Sequence, residues 1–239
     1  MAVERVQLVC LPYAGAGAAV YRGWQALLPD WIELITPELP GRGLRQAEPA
    51  VQDWSRLIDI VMASVCPRLR APLALFGHSM GALIAYSLTL ELAARGAPAP
   101  VMLIVSARRA PHLPPVRAPV HDLPDADFMG RLHELGGTPP EVLASPELMA
   151  LFGPMLRADF ALNDSFRPMP PLRVACPLAV IGADEDSELT PEALAAWREV
   201  AGGPFTLRRF DGSHFFLNAD RAEVLRAIWE LLRPAIHTK

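Results

Sequence analysis

Residues 73 to 86 constrain the fold more tightly than any other stretch of the chain. The apolar run Leu73-Ala74-Leu75-Phe76 enters Gly77-His78-Ser79-Met80-Gly81 and leaves as Ala82-Leu83-Ile84-Ala85-Tyr86. A buried strand, a G-x-S-x-G turn and an unbroken apolar helix are the setting in which that motif carries chemistry. The turn from strand to helix is sharp, so the backbone at Ser79 is expected to be strained. The residues two before and two after must be small, which Gly77 and Gly81 satisfy. A helix starting at about Met80 would aim its free N–H groups at the serine oxygen. Ser79 is therefore the candidate nucleophile, favoured over a chance Gly-Ser-Gly turn.

The remaining pattern alternates short apolar runs with helical spacing. Val6–Leu11 suits a buried parallel strand, and Pro12-Tyr13-Ala14-Gly15-Ala16-Gly17 after it is a loop of small residues. Trp24–Leu28 predicts a short helix stopped by Pro29, Ile32–Ile35 a second strand, and Pro37–Gly43 a loop. From Val51 to Leu69 the apolar positions Trp54, Leu57, Ile58, Val61, Met62 and Val65 follow helical periodicity. The elbow helix is expected to end near Arg95-Gly96, and Val101–Val105 to form another strand. Between Ala107 and Pro177 the texture changes, with 13 of the 25 prolines and no strand-like run. One amphipathic helix starts after Leu123-Pro124. Another has Ser145 as N-cap and Pro146 at its first position, with Leu148, Leu151, Phe152, Met155 and Leu156 on one face. Leu178–Ile181 and Phe205–Phe210 resume the strands, with helices over Pro191–Val200 and Arg221–Leu232.

Strands alternating with helices predict an α/β fold, a mostly parallel sheet covered on both faces. The chain reads as one domain, residues 1–239, with a helical lid inserted at about 112–170. The lid is placed beyond a strand's carboxyl end, where clefts open in such sheets. With 51% apolar residues, a sizeable core is within reach of 239 residues; a net charge of −4 is too mild to suggest nucleic acid or an anionic membrane. No apolar stretch reaches the ~18 residues of a membrane span. Cys10, Cys66 and Cys176 show neither C-x-x-C nor metal spacing. Three unpaired cysteines and a start, Met1-Ala2-Val3-Glu4-Arg5, without a basic and then apolar leader predict the reducing cytoplasm.

A serine hydroxyl needs a base. Of six histidines, His78 lies inside the elbow and is expected to pack. His112, His121 and His133 fall in the insertion, and His237 in the tail. His214 follows the strand Phe205–Phe210 through Asp211-Gly212-Ser213 and precedes the last helix, which suits the order Ser…Asp…His. The acid should follow Leu178–Ile181, where Gly182-Ala183-Asp184-Glu185-Asp186 offers two aspartates. Asp186 lies further out and is preferred, with Asp184 as the alternative. The amides of Met80 and Ala14 are the candidate oxyanion donors.

Leu11-Pro12-Tyr13-Ala14-Gly15, Glu38-Leu39-Pro40-Gly41-Arg42-Gly43, the elbow, Ser106-Ala107-Arg108-Arg109-Ala110-Pro111, Leu135-Gly136-Gly137-Thr138-Pro139, Leu156-Arg157-Ala158-Asp159-Phe160 and Gly212-Ser213-His214-Phe215-Phe216 run in order along nearly the whole chain. Together they resemble the type II thioesterases of nonribosomal peptide and polyketide synthases, members of the α/β-hydrolase superfamily. In that family the acid usually begins an Asp-Pro pair. Ser187 stands in the proline's place here, while the spacing of Asp186 from His214 resembles the family's. The resemblance implies hydrolysis of stalled or wrong acyl groups from the phosphopantetheine arm of an acyl or peptidyl carrier protein, met transiently, through an acyl-serine. It implies no cofactor of the enzyme's own. Phe128, Met129, Leu148, Phe152 and Met155 of the lid are the candidate acyl-binding wall. Arg108 and Arg109 are read as solvated arginines, with carrier docking as the alternative. A monomer is the default expectation. The rival readings are an acyl-CoA hydrolase or esterase, an acyltransferase, and, from another class, a ligand-binding protein of this fold without catalysis.

Overall fold

The computed structural model describes residues 5–166 and 170–236. The first four residues and His237 lie outside the described residues. The chain runs β1 (Val6–Leu11), β2 (Ile32–Ile35), α1 (Trp54–Val65), β3 (Leu73–His78), α2 (Met80–Ala94), β4 (Met102–Ser106), α3 (Asp125–Leu135), α4 (Pro140–Leu143), α5 (Pro146–Ser165), β5 (Leu178–Ala183), α6 (Pro191–Ala195), β6 (Phe205–Phe210), α7 (Phe216–Ala219) and α8 (Arg221–Leu232). The six strands form one sheet, ordered β2-β1-β3-β4-β5-β6, and every pairing is parallel. Parallel pairing forces each connection to cross over the sheet, so both faces are covered and the inner strands are apolar on both sides. All six residues of β1, β3 and β5 are buried.

Side-chain alternation divides these strands between two cores. Val9, Leu11, Leu75, Val105 and Val180 pack with Leu57, Val61, Ile84 and Trp197 on the face of α1 and α2. Leu8, Cys10, Phe76, Ile104 and Ile181 pack with Tyr21, Trp24, Val224 and Ile228 on the face of α8. Helix α2 is buried nearly all round, from Met80 to Leu92, because it is wedged between α1 and the central strands. It stops where the sequence predicts, with Gly96 at φ +67°.

Between β4 and β5, helices α3, α4 and α5 enclose a third, smaller core of Val120, Phe128, Leu132, Met155 and Leu156. The Ser145 side chain accepts from the Leu148 N–H, capping α5 as expected. Helix α5 continues through Pro154, which is exposed, as is Ala150, the residue whose carbonyl loses its helical partner. Leu151, expected on the buried face, is 52% exposed. The apolar stripe drifts round this 20-residue helix and leaves that position on the solvent side. The short helices α4 and α7 have too few residues to show a period and were not foreseen. The expected helices at Trp24–Leu28 and Pro191–Val200 are in part 3₁₀ turns, at Gln25–Leu27 and Ala196–Val200.

Candidate active site

The elbow is built as its residues require. Ser79 adopts φ 54° and ψ −115° between β3 and α2, a region costly for a residue with a Cβ. Its N–H donates to the Ser106 carbonyl of the neighbouring strand at 2.8 Å, and its carbonyl accepts from the Ala82 N–H at 3.0 Å. A Cβ on Gly77 would collide with the Gly81 carbonyl, and one on Gly81 with the Leu11 carbonyl. The second clash shows that the chain leaving β1 crosses the first turn of α2, which brings the Pro12–Gly17 loop beside Ser79. Neither the Ala14 nor the Met80 amide donates to another described residue.

His214 follows β6, and its Nδ1 stands 2.8 Å from Asp186 Oδ2. Asp186 is buried and its other oxygen accepts from the Glu188 N–H at 2.9 Å, so the carboxylate is held at both ends. Asp184 faces away and pairs with Arg209 at 2.5 Å in a half-exposed position. A proton on His214 Nδ1 would leave Nε2 as the free base. His78 is fully buried, with Nδ1 2.9 Å from Ser106 Oγ, and packs edge-on against the His214 ring at 5.3 Å. Burial first, then the nearby His214, hold the His78 pKa well below the ordinary imidazole value. His78 is thus a neutral packing residue. His112 and His121 approach Glu199 and Asp164, and none of the insertion's three histidines lines the cavity.

Ser79, His214, Ala14 and Tyr13 share the wall of one cavity of about 190 Å³. Its apolar lining includes Leu132, Leu135, Leu156 and Phe160 of the insertion, with Leu189 and Phe215 from outside it. None of the five lid residues singled out from the sequence lines it. Phe128 and Met155 are buried in the insertion's own core, Phe152 packs against that core, and Met129 and Leu148 are half-buried. A helix that covers a cleft must spend its most apolar face on its own support, and periodicity alone does not say which apolar residues are left for the cleft. Arg108 and Arg109 are in the cavity wall and not on open surface. Arg108 donates to Asn163 Oδ1 at 3.1 Å, while its Nε and that of Arg109 are buried without a partner. Burial, then the neighbouring Arg109, lower the Arg108 pKa to about 10, so it remains cationic at neutral pH.

A parallel sheet with a strained serine between strand and helix, and an Asp–His pair at the carboxyl ends of its strands, defines a serine hydrolase of the α/β-hydrolase class. The thioesterase-domain family model matches residues 6–232, and the chain belongs to the thioesterase family. It is 35% identical over 235 residues to the gramicidin S biosynthesis protein GrsT of Aneurinibacillus migulanus, covering 98% of this chain and 92% of that one. Among solved structures, it is similar to ClbQ of the colibactin NRPS/PKS pathway, with TM-score 0.91, 28% identity and 97% and 98% coverage. The RedJ thioesterase of the prodiginine pathway in Streptomyces coelicolor matches with TM-score 0.84, 39% identity and 93% and 84% coverage.

Proposed function

We propose that this enzyme releases acyl groups from the phosphopantetheine arm of carrier proteins in nonribosomal peptide or polyketide synthesis. Ser79 attacks the thioester carbonyl as His214 takes its proton, and the amides of Ala14 and Met80 stabilise the oxyanion. The thiolate is a good leaving group and takes the proton from the imidazolium on departure, which returns His214 to its neutral form. Water, deprotonated by His214, then attacks the acyl-serine and frees the acid. Asp186 keeps the His214 proton on Nδ1 and stabilises the cation. The observation that carries this reading is the 2.8 Å contact of His214 with Asp186 beside a cavity that His214 and Ser79 line together. The relatives' names support the synthase-associated substrate, and the carrier is met transiently by a single copy of the enzyme. No helix among the described residues is long and apolar enough to cross a membrane; action in the cytoplasm, where such synthases work, is part of the proposal.

The test is to load a panel of acyl groups onto a carrier protein and follow hydrolysis by mass, with the same groups on CoA alongside. Ser79→Ala is expected to lower kcat by about four orders of magnitude or more, and Asp186→Asn by about four. Carrier thioesters should be hydrolysed with the higher kcat/KM. Equal rates on CoA would favour a general acyl-CoA hydrolase, and full turnover by Ser79→Ala would remove the acyl-serine route.

A further inference from the structure

The loop bearing Ala14 closes on itself through one hydrogen bond, from the Ala16 N–H to the Tyr13 carbonyl at 3.0 Å, and that turn is anchored from outside. Gly15, with φ +81°, donates its N–H to Asp159 Oδ2 at 2.7 Å, across 144 positions of sequence. Asp159 lies on α5 of the insertion and is 1% exposed. Arg42, from the loop after β2, grips the same carboxylate with two nitrogens, at 2.6 and 2.7 Å. The nitrogen at 2.6 Å also donates to the Ala16 carbonyl at 2.9 Å. Two peptide groups on the C-terminal side of Ala14 are therefore tied to a single buried ion pair, that of Ala14–Gly15 through its N–H and that of Ala16–Gly17 through its carbonyl. Leu156, one turn before Asp159 on α5, packs so closely on Gly15 that a Cβ there would collide with it.

A buried pair of this kind is poor evidence for stability, because desolvating both charges offsets much of their attraction. What it does supply is direction. A bidentate guanidinium–carboxylate contact fixes both partners in plane and in distance, and here it joins the insertion, the β2 loop and the β1 loop at one point. An oxyanion donor is effective only when its N–H is already aimed at the developing charge. We propose that Asp159 and Arg42 are positioning residues that hold the Ala14 amide in line for catalysis, so that the site is complete only while α5 is docked on the β1 loop. Movement of α5 away from the loop would remove the acceptor from Gly15 and leave Arg42 uncompensated. Opening the cavity to a new substrate would then also disarm the oxyanion site. This rests on the assignment of Ala14 as an oxyanion donor beside Ser79.

The experiment measures hydrolysis of hexanoyl-pantetheine by full-length wild type, Asp159→Asn and Arg42→Lys, with rates normalised to the serine titrated by a fluorophosphonate. Binding is compared for a trifluoromethyl ketone analogue, which forms an oxyanion on the serine, and for the unreactive thioether analogue. Asp159→Asn is expected to lower kcat about 10- to 100-fold with KM within about threefold. Affinity for the trifluoromethyl ketone should fall by a similar factor while the thioether binds as before. Arg42→Lys, which keeps the charge and loses the fork, should show the same split at about tenfold, and serves if Asp159→Asn does not fold. A purely structural role would lower the titratable fraction or the thermal midpoint without separating the two ligands. The inference is overturned if normalised kcat stays within twofold in both variants, or if both ligands weaken equally. Ser79→Ala, run in parallel, separates the cases. An active Ser79→Ala sinks the catalytic reading itself, whereas an inactive one beside unimpaired Asp159→Asn and Arg42→Lys sinks only this coupling.

Discussion

His78 occupies the position before the elbow serine, yet its chemistry is that of a core residue. It has no exposed surface, its Nδ1 is engaged by Ser106 Oγ, and burial opposes its charging. Because its folded pKa is depressed, the unfolded chain binds more protons than the folded one once the pH drops below about 6.5. Stability attributable to His78 is therefore fully present above that pH and is lost as the pH falls, by up to about 1.4 kcal/mol per unit. Urea titrations between pH 8 and pH 5 should show this loss, and His78→Asn should flatten the slope. An unchanged slope in the variant would assign the acid sensitivity to other groups. Glycines 77 and 81 set a limit of a different kind, since their missing side chains are replaced by backbone of the next element and of β1, and backbone cannot swing aside as a side chain would.

Among the elements, the insertion between β4 and β5 stands apart energetically. Its small core is a cluster of its own, and the insertion is attached to the rest both through apolar contacts, with Leu162 of α5 buried in the larger core and Leu156 packed on Gly15, and through polar ones. Arg42 binds Asp159, and Trp54 Nε1 donates to the Leu162 carbonyl at 2.8 Å. Such a unit opens at lower free energy than the sheet. Phe128→Ala removes the largest side chain of that core, a change of about 3–5 kcal/mol in a packed site. We expect faster hydrogen exchange throughout α3 and α5, with β1, β3 and β4 protected as in the wild type. Equal loss of protection in the sheet would mean that the insertion and the sheet open as one unit.

On the scale of the whole molecule, the two large cores share the same strands, since neighbouring residues of β1, β3, β4 and β5 face opposite sides. Neither face can melt without exposing the other. Trp24 lies in one core and Trp197 in the other, both fully buried. Denaturant titrations of Trp24→Phe and Trp197→Phe, each lacking the fully buried indole of one core, should show fluorescence transitions that coincide with the circular-dichroism transition of the same protein. Separate midpoints for the two probes within one protein would divide the sheet into independently folding halves.

The strands, the elbow and its helix, the cap at Ser145 and the contact of His214 with Asp186 instead of Asp184 were all legible in the linear order of residues. Each depends on local signals: a run of apolar residues, a small residue where a turn is tight, a hydroxyl before a helix, or the distance of a carboxylate from the end of its strand. Tertiary structure alone decided which residues of the insertion face the cavity, because an amphipathic face can be spent on the insertion's own core or on the cleft, and both uses have the same period. It also turned Arg108 inward to the cavity wall. The link from Arg42 and Asp159 to the loop of Ala14 left no trace in spacing, since 117 positions separate the two charges and only the packing of α5 on the loops after β1 and β2 brings them within hydrogen-bonding distance.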